Sequence, residues 1–158
     1  MTNDVARDGT ILRPIALATL ISGTLDILLA MGLTVAFGRA IPDMLRYVAS
    51  GPFPAAKEIG GAGAALGLLV HFVLMAVMAT AFMLMVRAKP ALMRTPWRTG
   101  IAFGLVTYFV MNWLVVPLRF GTPLPPKPLS IATQLFAHIV LVGLVFAGIA
   151  ARSLRPTR

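Results

Sequence analysis

The chain has 158 residues, of which 58% are hydrophobic and only 12% are charged, and it contains no cysteine. A soluble domain of this length leaves too much of its surface in water to bury so large an apolar fraction, so the composition indicates a membrane protein. The missing cysteines exclude disulfides and thiolate metal sites. The net charge of +9 is carried at the ends of apolar runs, where it indicates membrane topology and not nucleic-acid binding.

Four apolar runs are long enough to span a bilayer, which takes about 20 residues of α-helix. They predict an all-α polytopic membrane protein, a four-helix transmembrane bundle that forms a single domain over residues 1–158. The predicted spans are 15–37, 61–86, 101–118 and 129–151. Pro14 is expected in the first turn of the first helix, where a missing N–H costs little.

The first loop contains the segment IPDMLRYVASG, which has helical periodicity. Ile41, Met44, Leu45 and Val48 share one face of such a helix. This pattern predicts a short amphipathic helix on the outer membrane surface.

Lysine and arginine are distributed unequally between the two sides of the predicted bundle. Of the 14 such residues, nine belong to the N-terminal segment, the second loop and the C-terminal tail, and five belong to the first and third loops. By the positive-inside rule, this bias predicts that both termini are cytoplasmic.

Each predicted helix carries one stripe of small or polar residues at helical spacing, and such stripes face neighbouring helices. Counted at 1.5 Å per residue from the outer helix ends, the acid and the two histidines lie about 14–16 Å deep. We therefore predict one polar intramembrane site. Its candidate residues are Asp26, His71, Tyr108, Asn112, Gln134 and His138.

An aspartate at the centre of a membrane helix costs about 2.5–3.5 kcal/mol even on lenient insertion scales, so Asp26 is expected to face inward and to have partners. It is either protonated or paired with a protonated His71 or His138. Such a pair could relay a proton, and it could equally hold helices together.

Three classes of function are compatible with these residues. The first is transport or sensing of a proton or small solute, with no cofactor. The second is a haem b or iron protein in which His71, His138 and Asp26 are the ligands. The third is an accessory or assembly subunit of a larger membrane complex, and homo-oligomers are equally open. The sequence carries no hydrolase, zinc-protease or phosphate-binding motif, so nothing in it indicates an enzyme.

The segments SGTLDILLA, LGLLVHF, YFVMNWLVVPL and AHIVLVGL, in this order, resemble an uncharacterised family of small four-helix inner-membrane proteins from proteobacteria. The resemblance extends from about Leu12 to Ala151, and it implies a multi-pass protein of the bacterial inner membrane. It implies no activity. The positions that match the family's polar positions are Asp26, His71, Asn112, Pro117 and His138.

Overall fold

The computed structural model describes residues 5–154 of the protein, and the side chains of residues 11–154. This part of the chain is helical and contains no strand. Four of its helices are long and apolar enough to cross a membrane, which confirms the predicted all-α polytopic bundle. The helices are α1 (Val5–Ala36), α2 (Ile41–Ala49), α3 (Gly60–Ala88), α4 (Pro96–Phe120) and α5 (Pro128–Ser153).

The ends of two helices differ from the sequence-based expectation. Helix α1 begins at Val5, so Pro14 lies inside the helix, and its expected place in the first turn was wrong. Helix α4 begins at Pro96, before the expected residue 101. The expected start was too late because the first turn of the helix is polar, and a hydropathy criterion does not include polar residues. Pro96 suits that start, since the first helical N–H has no partner in the helix. Arg155 and Arg158, which contribute to the predicted charge bias, lie outside the described residues.

Helix α1 lies between α3 and α5, and α4 packs mainly on α5. The contact between α4 and α5 is unusually close because it is built on glycine. A methyl group at Gly100 would lie 2.6 Å from the carbonyl oxygen of Gly143, and one at Gly104 would overlap the carbonyl group of His138. Only residues without a side chain allow two helix backbones to approach this closely.

A cluster of packed phenylalanine rings lies towards one end of the bundle. The ring of Phe82 in α3 packs 4.9 Å from that of Phe103 in α4 and 5.9 Å from that of Phe146 in α5, measured between centroids. This end carries the start of α1, the 89–95 loop and the end of α5, and we call it the basic end. The opposite end carries α2 and is called the α2 end.

Helices α4 and α5 each contain a π-helical stretch, Val110–Val115 and Ala137–Leu144. In α4 the π-helical stretch is explained by Pro117, which has no N–H to donate to the carbonyl group of Trp113. The N–H of Val116 instead bonds the carbonyl group five residues earlier. Such stretches often occur at functional sites.

Helix α2 packs against the first turns of α3, again at glycines. A methyl group at Gly67 would overlap the carbonyl group of Leu45 in α2, and one at Gly63 would overlap that of Ala56 in the 3-10 turn Pro54–Lys57. Leu45 is buried here, as expected for the apolar face of an amphipathic helix. The glycine-rich start of α3 is therefore a packing surface for α2.

Candidate intramembrane site

Asp26 and His71 form the centre of the site, where α1 packs against α3. Nδ1 of His71 lies 3.9 Å from Oδ2 of Asp26, and Nε2 donates a hydrogen bond of 2.9 Å to the carbonyl oxygen of Gly23. Gly23 also makes room for α3, since a methyl group there would lie 2.7 Å from the ring of Phe72. One turn of α1 therefore sets both the helix contact and the orientation of the imidazole.

This geometry favours a pair that holds one proton. Because a carbonyl oxygen only accepts, Nε2 of His71 carries a hydrogen, and Nδ1 faces the carboxyl group of Asp26. A neutral imidazole presents a lone pair there and matches a protonated carboxyl, whereas an imidazolium presents N–H and matches a carboxylate. Both arrangements contain one shared proton and are neutral overall, which a membrane interior favours.

The distance of 3.9 Å between the two groups is longer than a direct hydrogen bond. A shift of about 1 Å would bring the nitrogen and the oxygen into direct contact. The two side chains are partly accessible, by 21% for Asp26 and 11% for His71, so the pair is not sealed inside the bundle.

His138, in the π-helical stretch of α5, approaches the same carboxyl group from another helix. It is buried, and its imidazole is near enough to interact electrostatically with Asp26. Its Nδ1 donates a hydrogen bond of 3.0 Å to the carbonyl oxygen of Gln134. In the neutral ring, Nε2 then holds the lone pair and is the nitrogen available to accept a proton.

Tyr108 lies beside His138, with the two ring centroids 6.1 Å apart and the rings edge to face. Tyr108 is almost fully buried, and its hydroxyl oxygen accepts a hydrogen bond of 3.2 Å from Nε1 of Trp113. The aromatic ring thus covers one side of the imidazole.

Asn112 and Gln134 take less part in this arrangement. Nδ2 of Asn112 donates a 3.2 Å hydrogen bond to the carbonyl oxygen of Tyr108 in its own helix, and Gln134 contributes its main-chain carbonyl group to His138. Within residues 11–154, no hydrogen bond joins either amide side chain to Asp26 or to a histidine. The structure therefore brings together the acid and both histidines, with Tyr108 beside them.

Two further hydroxyl groups belong to the same face of α1. Ser22 is fully buried and donates a hydrogen bond to the carbonyl oxygen of Leu141 in α5. Thr19 has a buried Oγ1 atom with no hydrogen-bond partner. Ser22 is not among the predicted site residues, although its position one turn before Asp26 could have identified it.

The part of the chain that the structure describes contains no group of three His, Cys, Asp or Glu side chains suited to a metal ion. In His71, Nε2 is bonded to Gly23 and Nδ1 faces Asp26, so a metal ligand would have to give up one of these contacts. The haem and iron alternatives remain predictions, which an absorption spectrum and a metal analysis would test.

At the α2 end of the bundle, contacts join α4 to α2. Arg119, at the end of α4, donates hydrogen bonds from Nε to the carbonyl oxygen of Gly51 at 2.5 Å and from Nη2 to that of Ser50 at 2.8 Å. These carbonyl groups follow the last turn of α2, where the helix dipole favours a cation. Beside them, Phe120 stacks on Tyr47 with centroids 4.4 Å apart.

Comparison with known proteins identifies no relative. No protein-family model, curated protein or solved structure matches this chain.

Proposed function

We propose that this integral membrane protein transports or senses a proton or a small solute at the site formed by Asp26, His71 and His138. The observation that carries the proposal is the Asp26–His71 pair, in which a carboxyl group and an imidazole face each other at 3.9 Å between two membrane-spanning helices. The bacterial inner membrane, with both termini in the cytoplasm, is the proposed location. The family resemblance and the distribution of lysine and arginine support it.

The chemistry of the pair supports proton exchange. Loss of its shared proton would leave an uncompensated carboxylate in the membrane interior, and gain of a second would leave an uncompensated imidazolium. Each change is costly unless another group responds. His138 lies within electrostatic reach of the carboxyl group, and its Nδ1 bonds a main-chain carbonyl group, so Nε2 is the nitrogen that would respond to a change of charge at Asp26.

The partial exposure of the Asp26 side chain favours this proposal over a purely structural role for the pair. A pair that only holds two helices together gains from complete exclusion of other groups. Here 21% of the Asp26 side chain is accessible, so the bundle does not enclose the carboxyl group completely.

The first test asks whether Asp26 exchanges its proton with the surrounding solution. Infrared difference spectra of the protein in proteoliposomes, recorded between two pH values, should show a carboxyl band that is absent from Asp26→Asn. Asp43→Asn is the matched control, because it makes the same chemical change at an exposed residue of α2. It should leave that band unchanged.

The second test measures flux in the same vesicles with an enclosed pH indicator after an imposed pH step. For a transporter, Asp26→Asn should reduce proton entry to the level of protein-free vesicles, while Asp43→Asn keeps the wild-type rate. His71→Gln, which retains an N–H for the carbonyl group of Gly23, should also lose flux while remaining folded. For a sensor, the carboxyl band appears without flux. Absence of both the band and the flux would contradict the proposal and favour the accessory-subunit alternative.

A further inference from the structure

A cleft of about 330 Å³ lies at the basic end of the bundle, away from the polar site. It is formed where the short 3-10 helix Pro90–Arg94, in the loop between α3 and α4, meets the last turns of α5. The residues that line it and that matter here are Ala91, Met93, Arg94, Ala150, Ala151 and Leu154.

The side chains that line the cleft are apolar except for the guanidinium group of Arg94. Met93 and Leu154 pack against the hydrophobic core, whereas Arg94 is exposed at the rim. The loop that forms one wall is held in place by Thr99 of α4, whose hydroxyl group donates a hydrogen bond of 2.7 Å to the carbonyl oxygen of Leu92. The cleft therefore combines an apolar floor, a fixed wall and a cation at its edge.

Basic side chains are concentrated at the end of the bundle where the cleft lies. No acidic side chain described by the structure lies at the basic end, since the described acids are Asp26, Asp43 and Glu58. At the α2 end, Arg46 pairs with Asp43. The cations of the basic end are Arg13, Arg87, Lys89, Arg94, Arg98 and Arg152.

The position of Trp97 indicates that the cations of the basic end lie at the level of lipid headgroups. Trp97 is exposed in the first turn of α4, and the guanidinium group of Arg98 lies 4.9 Å from the centre of its ring. Exposed tryptophan at the end of a membrane helix is typical of the interface between hydrocarbon and water.

We propose that this cleft binds an anionic phospholipid. The guanidinium group of Arg94 pairs with the phosphodiester, and the apolar lining accommodates the adjoining glycerol and the first part of an acyl chain. The chemistry matches on both counts, because basic pockets between membrane helices recognise anionic headgroups and an arginine fork suits a phosphate group. A free phosphate ion would leave the apolar floor uncovered.

The test measures lipid binding to the full-length protein in mild detergent by native mass spectrometry, with phosphatidylglycerol and phosphatidylcholine as probes. We expect the wild type to prefer phosphatidylglycerol, and Arg94→Gln to weaken that binding about fivefold, the effect of one cation at a lipid surface. Arg13→Gln is the charge-matched control, since Arg13 is exposed on α1 and does not line the cleft. It should change binding less than Arg94→Gln does.

A second pair of variants tests the cleft itself without changing charge. Ala91→Phe should fill the cleft and reduce phosphatidylglycerol binding, whereas Ala102→Phe, at an exposed position of α4, should not. Equal losses in Arg94→Gln and Arg13→Gln together with unchanged binding in Ala91→Phe would mean that surface charge alone attracts the lipid, which would overturn the proposal. Displacement of the lipid by inorganic phosphate at constant ionic strength would also overturn it.

Discussion

Thr19 and Ser22, within one turn of α1, have buried hydroxyl groups that differ in whether they have a hydrogen-bond partner. Ser22 donates its hydrogen bond to a carbonyl group of α5, while Oγ1 of Thr19 is buried without a partner. An unsatisfied buried polar atom is costly, whereas a polar bond between membrane helices contributes modestly. The two hydroxyl groups therefore make opposite contributions to stability.

We expect Thr19→Val to raise the free energy of unfolding by about 1 kcal/mol, because it replaces an unpaired hydroxyl group with a methyl group of similar shape. Ser22→Ala should lower it by about 0.6 kcal/mol, the average for a hydrogen bond between membrane helices. Reversible unfolding in mixed micelles would measure both values. Destabilisation by Thr19→Val would show that the hydroxyl group has a bound partner.

Arg119 bonds main-chain carbonyl groups of another helix segment. A cation at the end of a membrane helix is expected to extend towards the outer surface, and Arg119 is indeed exposed. Its guanidinium group nevertheless bonds two carbonyl groups at the end of α2. This side chain thus connects α4 to α2.

At the scale of helices, glycine determines which pairs approach closely. The contact between α4 and α5 depends on Gly100, Gly104 and Gly143, and the main-chain carbonyl group of His138 lies against Gly104. The close approach therefore also fixes the backbone that carries His138. A wider spacing of α4 and α5 would move the imidazole relative to Asp26.

Gly143→Ala should lower the free energy of unfolding by about 1–3 kcal/mol, because the added methyl group would overlap the carbonyl group of Gly100 in a packed interface. Gly148→Ala is the control in the same helix, since a methyl group there meets nothing within 4 Å. It should be neutral or slightly stabilising, because alanine favours a helix over glycine by about 1 kcal/mol. If both variants unfolded alike, close packing would not explain Gly143.

For the molecule as a whole, the two ends of the bundle have different roles. The aromatic core and a group of cations lie at the basic end, while the acid–histidine pair lies nearer to the end that α2 covers. Helix α2 packs on Gly67, one turn before His71. The polar site is thus supported by a well-packed basic half and covered by a short helix.

Membrane orientation can be measured directly, because the chain contains no cysteine. In intact spheroplasts, a membrane-impermeant thiol reagent should label Lys127→Cys, in the loop after α4, and should not label Lys89→Cys, in the loop after α3. Both positions are exposed, so accessibility within the protein is matched. Cell lysis should make Lys89→Cys reactive. The reverse pattern would place both termini outside the cytoplasm.

The number of spanning helices, their approximate limits and the amphipathic α2 were predictable from the sequence alone. Each depends on local properties, namely the length of apolar runs and the spacing of residues such as Leu45 along one helical face. The helical periodicity of Asp26, His71 and His138 also predicted that polar groups from different helices would face one another. The polar first turn of α4 was missed because hydropathy does not detect it.

Only the tertiary structure determined which polar residues meet and which merely share a stripe. Asp26 faces His71 across a helix contact, whereas Asn112 bonds its own helix, although both residues occupy polar stripes of similar appearance. The difference arises from the order in which helices pack and from the π-helical stretches, which rotate side chains relative to regular α-helical spacing. These features depend on contacts between residues far apart in the chain, which periodicity within one helix does not contain.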